Sequence, residues 1–328
     1  MPVLNLISDH LNRQAKLQPN RDFLILDDFR LTYAKTQELV DRIARALIAA
    51  GVKRQDRVAM MSDPRPEFFI HFLAVTSIGA IWMGLNPKHT KNELSHVLND
   101  AEPSMLFGFG NQSENSLEKL LDLTKSNKSI RQLILFEQED SYSDYSWDNF
   151  LEGEQQVSHT NLMARRSEIS PKDPAYIVYT SGTTGPPKAV MLSNQNLVWT
   201  ASQAIDMLKL SSDNTSLSYL PLSHVAEQMF TIHAPIIAGW KVYFGTGILD
   251  VLDNLKEVKP TILFGVPRIW EKFYSGVKEK LSAATGIKKK IADFSLQAGW
   301  EHNSDIFQGG TGGGWKYSVA NKLMFKKV

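Results

Sequence analysis

The chain has 328 residues, 36 of them basic and 35 acidic, for a formal charge of +1. That balance gives no whole-chain field for nucleic acid or an anionic membrane, so any anion site must be local. There is no cysteine, which excludes disulfides, thiolate metal sites and any mechanism that parks an acyl group on an enzyme thiol.

The N-terminus, M-P-V-L-N-L-I-S-D-H, lacks a basic head before an apolar run and is not a secretory signal. Phe23–Leu26 and Arg30–Tyr33 read as a hairpin around Asp27-Asp28, followed by a helix from about Ala34. In that helix Leu39, Val40, Ile43, Leu47 and Ile48 keep helical spacing, and Gly51 falls where a left-handed cap is expected. Arg57–Met61 is a strand, Pro64-Arg-Pro-Glu opens a helix over Phe68–Ile78 that is apolar nearly all round, and Ile81–Leu85 is a strand. No apolar stretch reaches the roughly 18 residues of a spanning helix, because the best, Phe68–Leu85, carries His71. The expected location is the cytoplasm, with peripheral membrane contact left open.

Asn92–Leu98 and Leu117–Leu123 read as helices, Met105–Phe107 and Gln132–Phe136 as strands. From Glu137 to Lys172 the pattern dissolves into acidic and polar residues around Trp147 and Phe150, a surface excursion dividing lobes at about 1–140 and 173–328. Beyond it follow a helix over Asn194–Leu208, a strand at Leu217–Leu220, a helix from His224 to Ile237 and a strand at Lys241–Phe244. Then come a helix over Val251–Val258, a strand at Ile262–Phe264, and helices from Pro267 to about Leu281 and over Ile287–Trp300. This alternation predicts an α/β fold of two mainly parallel lobes. Gln308–Gly314, Q-G-G-T-G-G-G, has no strand before it and reads as a flexible linker leading to a last amphipathic helix.

The most informative stretch is Tyr179–Lys188, Y-T-S-G-T-T-G-P-P-K, with A-V-M-L-S after it. A strand over Tyr176–Tyr179 feeds a loop whose Gly182 and Gly185 let backbone amides approach an anion. Thr180, Ser181, Thr183 and Thr184 add neutral donors, Pro186 and Pro187 stiffen the exit, and Lys188 supplies a point charge. The bland alternative is a surface turn between two strands. The expected ligand is a polyphosphate. The loop is not the P-loop of ordinary NTPases: Pro187 stands where a glycine is needed, and no Ser or Thr follows the lysine.

The pattern resembles the signature loop of the adenylate-forming (AMP-binding) superfamily. The family usually has Gly after the motif lysine, and the Ala189 found here also occurs in long-chain acyl-CoA ligases. Ser218–Gln228, S-Y-L-P-L-S-H-V-A-E-Q, is similar to the motif lining the family's acyl pocket. Phe264–Lys272, F-G-V-P-R-I-W-E-K, resembles the segment after the acyl tunnel in long-chain and bubblegum-type synthetases. The resemblance implies an N-terminal adenylate-forming domain and the conversion of a fatty acid, ATP and coenzyme A to acyl-CoA through an acyl-adenylate. It implies that Ser181, Gly182, Thr183, Thr184 and Gly185 hold the β- and γ-phosphates. Lys188 would steady loop or phosphate, Thr180 would face Mg²⁺, and His224 would position the carboxylate and α-phosphate without acting as the base. Taken by itself, a single His at a helix start is more often a structural residue; its place after a strand, about forty residues beyond the loop, reverses that reading. Arg268 reads equally as a functional residue of that segment or as no more than a surface cation or an ion-pair partner of Glu271, and Lys288–Lys290 reads first as a solvated run, with a membrane-surface patch as the alternative. Gly79–Asn99, with L-N-P-K-H-T and E-L-S-H-V-L-N-D, is expected to pack, not to react.

The family's later motifs do not occur: there is no Thr-Glu dipeptide for metal and adenine, no Gly-Asp for the ribose, no hinge and no C-terminal lid with its lysine. The expectation is a domain incomplete on the nucleotide side, holding phosphate weakly without turnover. A non-enzymatic nucleotide- or acyl-binding role, or a ligase for an aryl or amino acid, stays open.

Overall fold

Asp27 adopts φ +49° at the tip of the first hairpin, where β1 (Asp22–Leu26) turns antiparallel onto β2 (Phe29–Thr32). Thr32 then caps the helix Tyr33–Ala49 by accepting from the Lys35 amide at 3.2 Å. Gly51, at φ +80°, closes it, with the Val52 amide reaching back to the Leu47 carbonyl. The computed structural model describes residues 4–112, 115–136, 146–180, 187–245, 247 and 250–327. It divides into two compact units, Met1–Phe264 and Gly265–Val328.

The first unit holds two sheets. Strands β3 (Arg57–Met61), β4 (Ile81–Leu85), β5 (Met105–Gly108), β6 (Gln132–Leu135), β7 (Pro174–Thr180) and β8 (Lys188–Ser193) form a six-stranded sheet ordered β6-β5-β3-β4-β7-β8. All its pairs are parallel except β7 with β8. Strands β9 (Thr215–Ser218) and β10 (Lys241–Phe244) join the first hairpin in the order β2-β1-β10-β9. The expected mainly parallel α/β architecture is therefore present. The sheets do not part at residues 137–172, since β1 from the start of the chain pairs in parallel with β10 from beyond the excursion.

The helix Pro66–Thr76, with proline at its first turn, packs against both β1 and β4 and is buried at every position from Phe68 to Thr76. Phe69 meets Phe23 edge-on at 5.1 Å and Phe72 meets Trp82 at 5.4 Å, so this one helix joins the two sheets into a common core. On the other face of the larger sheet, helices Lys91–Ala101 and Ser116–Ser126 set Leu94, Leu98, Leu120 and Leu123 against Met61, Met83, Leu106 and Ile177.

Several elements differ from the pattern in the sequence. The helix Ile7–Leu17 is not announced by a cap, because Leu6 occupies the N-cap, and its buried face includes His10 and Gln14 beside Ile7 and Leu11. Within the supposed excursion, 137–145 lie outside the described residues, but Trp147–Glu152 and His159–Ser167 are helices, capped by Ser146 and Ser158. Tertiary partners hold both: Trp147 in the first stacks on Phe136 at 4.5 Å, and in the second Arg165 Nε donates to the Ile78 carbonyl at 2.9 Å while Arg166 pairs with Asp41 at 2.8 Å. Strand β9 ends at Ser218 and not at Leu220, since the amides of Tyr219 and Leu220 bond to the Glu227 side chain and leave the ladder. Ile262–Phe264 reduces to a single bridge from Ile262 to Ser216, the Thr261 and Ile262 amides both going to the Thr215 carbonyl.

The second unit consists of helices Pro267–Ser282, Gly286–Phe307 and Trp315–Leu323. Its glycine run is tethered and not a free linker: the Gly312 amide donates to Asp305 Oδ2 at 3.0 Å and the Gly313 amide to His302 Nδ1 at 2.7 Å.

Candidate functional site

The antiparallel pairing of β7 and β8 ends with Thr180 opposite Lys188, at the carboxyl end of β7. Tyr176 and Val178 point into the core, which fixes the strand's register. Thr180 and Lys188 are exposed, and neither side chain has a partner among the described residues. Ser181, Gly182, Thr183, Thr184 and Gly185 lie outside the described residues. Just beyond them, the Pro187 carbonyl accepts from His96 Nε2 at 3.2 Å. Just before Thr180, the Tyr179 hydroxyl donates to Asp100 Oδ2 at 2.6 Å. Burial and the neighbouring carboxylate both hold the Tyr179 phenol above its ordinary range, so it stays a donor.

His224 sits at the N-cap of a helical segment that runs through Val225–Gln228, a π-turn at Met229–His233 and Ala234–Ala238. Its Nδ1 accepts from the Ala226 amide at 3.3 Å, which places the proton of the neutral ring on Nε2. The imidazole is exposed, so Nε2–H is presented to solvent. The segment before it is tied to β7, for the buried Tyr176 hydroxyl donates to the Ser223 carbonyl at 3.3 Å.

Glu227 is 2% exposed and accepts from Ser218 Oγ at 2.9 Å and Thr231 Oγ1 at 3.0 Å. Burial outweighs these donors and pushes its carboxyl up to about 7. The adjacent Gln228 donates to the Leu222 carbonyl at 2.7 Å. These two side chains, with Tyr176, hold the whole turn from Ser218 to His224. The sequence reading did not single out Tyr176, Glu227, His96 or Asp100. The i,i+4 spacing of His96 and Asp100 within E-L-S-H-V-L-N-D was the available signal. Arg268 is exposed and makes no ion pair with Glu271 among the described residues, and Lys288–Lys290 are exposed. Among the described residues no three His, Asp or Glu gather as a metal site.

An antiparallel β7–β8 pair at the edge of an otherwise parallel sheet packed against helices is the architecture of an α/β protein. The family model described as AMP-binding enzyme matches residues 11–307, and the chain belongs to that family. It is 31% identical over 305 residues to the Homo sapiens long-chain-fatty-acid–CoA ligase ACSBG2, covering 91% of this chain and 45% of that protein. It is 28% identical over 283 residues to human ACSBG1, also a long-chain-fatty-acid–CoA ligase, covering 83% and 39%. The chain thus spans about half the length or less of these curated relatives. Among solved structures, the inhibitor-bound N-terminal domain of FACL13 from Mycobacterium tuberculosis matches with a TM-score of 0.68 at 23% identity, over 81% of this chain and 64% of that one.

Proposed function

We propose that this chain serves the ATP-dependent activation of a long-chain fatty acid. A carboxylate oxygen attacks the α-phosphorus of ATP and pyrophosphate leaves; the thiol sulfur of coenzyme A then attacks the acyl carbon, AMP leaves and the thiol proton is released. Fatty acid, ATP and coenzyme A are its small-molecule substrates, and Mg²⁺ arrives with ATP. Both partners in the first step are anions, so the protein's work is to position them and neutralise the leaving group.

The observation that carries this reading is the register that sets Thr180 against Lys188 at the mouth of the glycine-rich loop, with both side chains available. In it, Ser181, Gly182, Thr183, Thr184 and Gly185 cradle the β- and γ-phosphates and Lys188 meets their charge. Thr180 would offer Mg²⁺ one neutral oxygen, which suits an ion that is held mainly by substrate phosphates and its own waters. His224 presents Nε2–H to the carboxylate and α-phosphate. The preference for a long chain rests on the likeness to the two fatty-acid ligases. Among the described residues no helix is long and apolar enough to cross a membrane, and we place the protein in the cytoplasm, reaching membranes peripherally.

Calorimetry tests the reading. Mg-ATP should release heat on titration into this chain, and palmitate should bind the ATP-loaded chain more tightly than benzoate. No heat with Mg-ATP overturns the proposal. Saturable palmitate binding that ignores ATP would instead favour a non-enzymatic acyl carrier.

A further inference from the structure

We propose that the helix Lys91–Ala101 is a buttress that sets the phosphate-binding hairpin, with His96 as its positioning residue. The inference rests on reading that hairpin as the phosphate site. Two hydrogen bonds leave one side of this helix and reach the two ends of one loop. His96 Nε2 holds the carbonyl of Pro187, the residue before Lys188, at 3.2 Å. Asp100, one turn further on, holds the hydroxyl of Tyr179, the residue before Thr180, at 2.6 Å. Residues four apart on a helix share a face, so the two grips act together.

The helix is built to be rigid. Thr90 and Glu93 form a capping box at its start, the Glu93 amide donating to Thr90 Oγ1 at 3.3 Å and the Thr90 amide to Glu93 Oε2 at 2.7 Å. Leu94, Val97, Leu98 and Ala101 are buried in the core on the far face of the larger sheet. Lys91 pairs with Asp122 at 2.6 Å, and Lys119 Nζ donates to the Pro87 carbonyl at 2.8 Å, fixing the approach to the helix to its neighbour.

The β7–β8 ladder pairs Thr180 with Lys188, and the bonds to Tyr179 and Pro187 add a second hold, from the helix, on the residue before each of them. Holding two binding groups in place before a ligand arrives lowers the ordering cost of binding. The Pro187 carbonyl can only accept, so Nε2 of His96 must carry a proton, which both the neutral Nε2–H tautomer and the cation satisfy. The E-L-S-H-V-L-N-D segment, expected merely to pack, packs on the hairpin.

Amide hydrogen exchange of the peptide 180–188 and Mg-ATP calorimetry on the full chain test this. His96→Ala should speed exchange across that peptide and weaken Mg-ATP by roughly three- to tenfold while leaving the melting temperature in place. His96→Gln, whose side-chain amide can still donate to Pro187, should restore most of both, which a general structural role would not predict. Unchanged exchange in His96→Ala, or a Gln variant no better than Ala, overturns the buttress. If the wild-type chain binds no Mg-ATP, the functional reading falls, while the exchange comparison still decides the buttress.

Discussion

Ser218 Oγ donates to the Glu227 carboxylate at 2.9 Å at the point where β9 stops. From there to His224 the backbone is held by side chains in place of a sheet: Glu227 takes the amides of Tyr219 and Leu220, Gln228 takes the Leu222 carbonyl, and Tyr176 takes that of Ser223. A buried polar network of this kind fixes one geometry or fails as a whole. It delivers His224 to a helix start with one ring nitrogen already used.

Glu227 makes stability depend on pH in an unusual sense. Its folded carboxyl lies near 7 against 4.5 for the ordinary group, so the folded chain binds the proton more tightly. This contribution is complete below about 4.5 and is lost as pH rises toward 7. Glu227→Gln should therefore gain stability relative to wild type between pH 5 and 8, by about 1–3 kcal/mol in urea melts. A difference that does not change with pH would refute the assignment.

Lys188 and Thr180 are exposed and without partners among the described residues, so removing them should not disturb the fold. We expect Lys188→Ala to change stability by less than about 0.5 kcal/mol while weakening Mg-ATP roughly ten- to hundredfold, as for a charge-assisted hydrogen bond. Thr180→Ala should show a smaller loss. Paired thermal melts and calorimetry separate the two effects.

For His224, which presents Nε2–H to both the carboxylate and the α-phosphate, the larger effect is expected on the acid. His224→Ala removes an N-cap bond, costing about 0.5–1 kcal/mol, weakens Mg-ATP by no more than about threefold and weakens palmitate binding to the ATP-loaded chain by more. Nitrogen NMR of the neutral ring should find its proton on Nε2. Finding it on Nδ1 would contradict the bond to Ala226.

Gly84 lies on β4 beside two buried rings, and a methyl there would run into Trp82 and come within 2.9 Å of Phe68 Cζ. Neither ring has room to retreat, so Gly84→Ala should cost about 1–3 kcal/mol. Denaturant midpoints would show it, and an unchanged midpoint would mean that the aromatic core yields more than its packing suggests.

Most strands and helices could be read from the chain because their periodicity and caps are local. Gly51 ends its helix where the pattern placed it, and Asn194–Leu208 and Lys241–Phe244 have the bounds that their spacing gives. The helix Ile7–Leu17 escaped because no side chain caps it, and the two capped by Ser146 and Ser158 because they lie in a polar stretch whose Trp147 and Arg166 find distant partners.

The chain alone determined the alternation of elements, the lack of any enzyme thiol and the glycine- and hydroxyl-rich composition of Thr180–Lys188, for these depend on residue type and spacing. Only the tertiary structure decided that β1 joins β10, that helix Pro66–Thr76 unites two sheets, that His96 and Asp100 bond to Pro187 and Tyr179, and that Tyr176 and Glu227 hold the turn before His224. Those contacts link residues far apart in sequence, and no local preference records which carbonyl a side chain will meet once the strands have assembled.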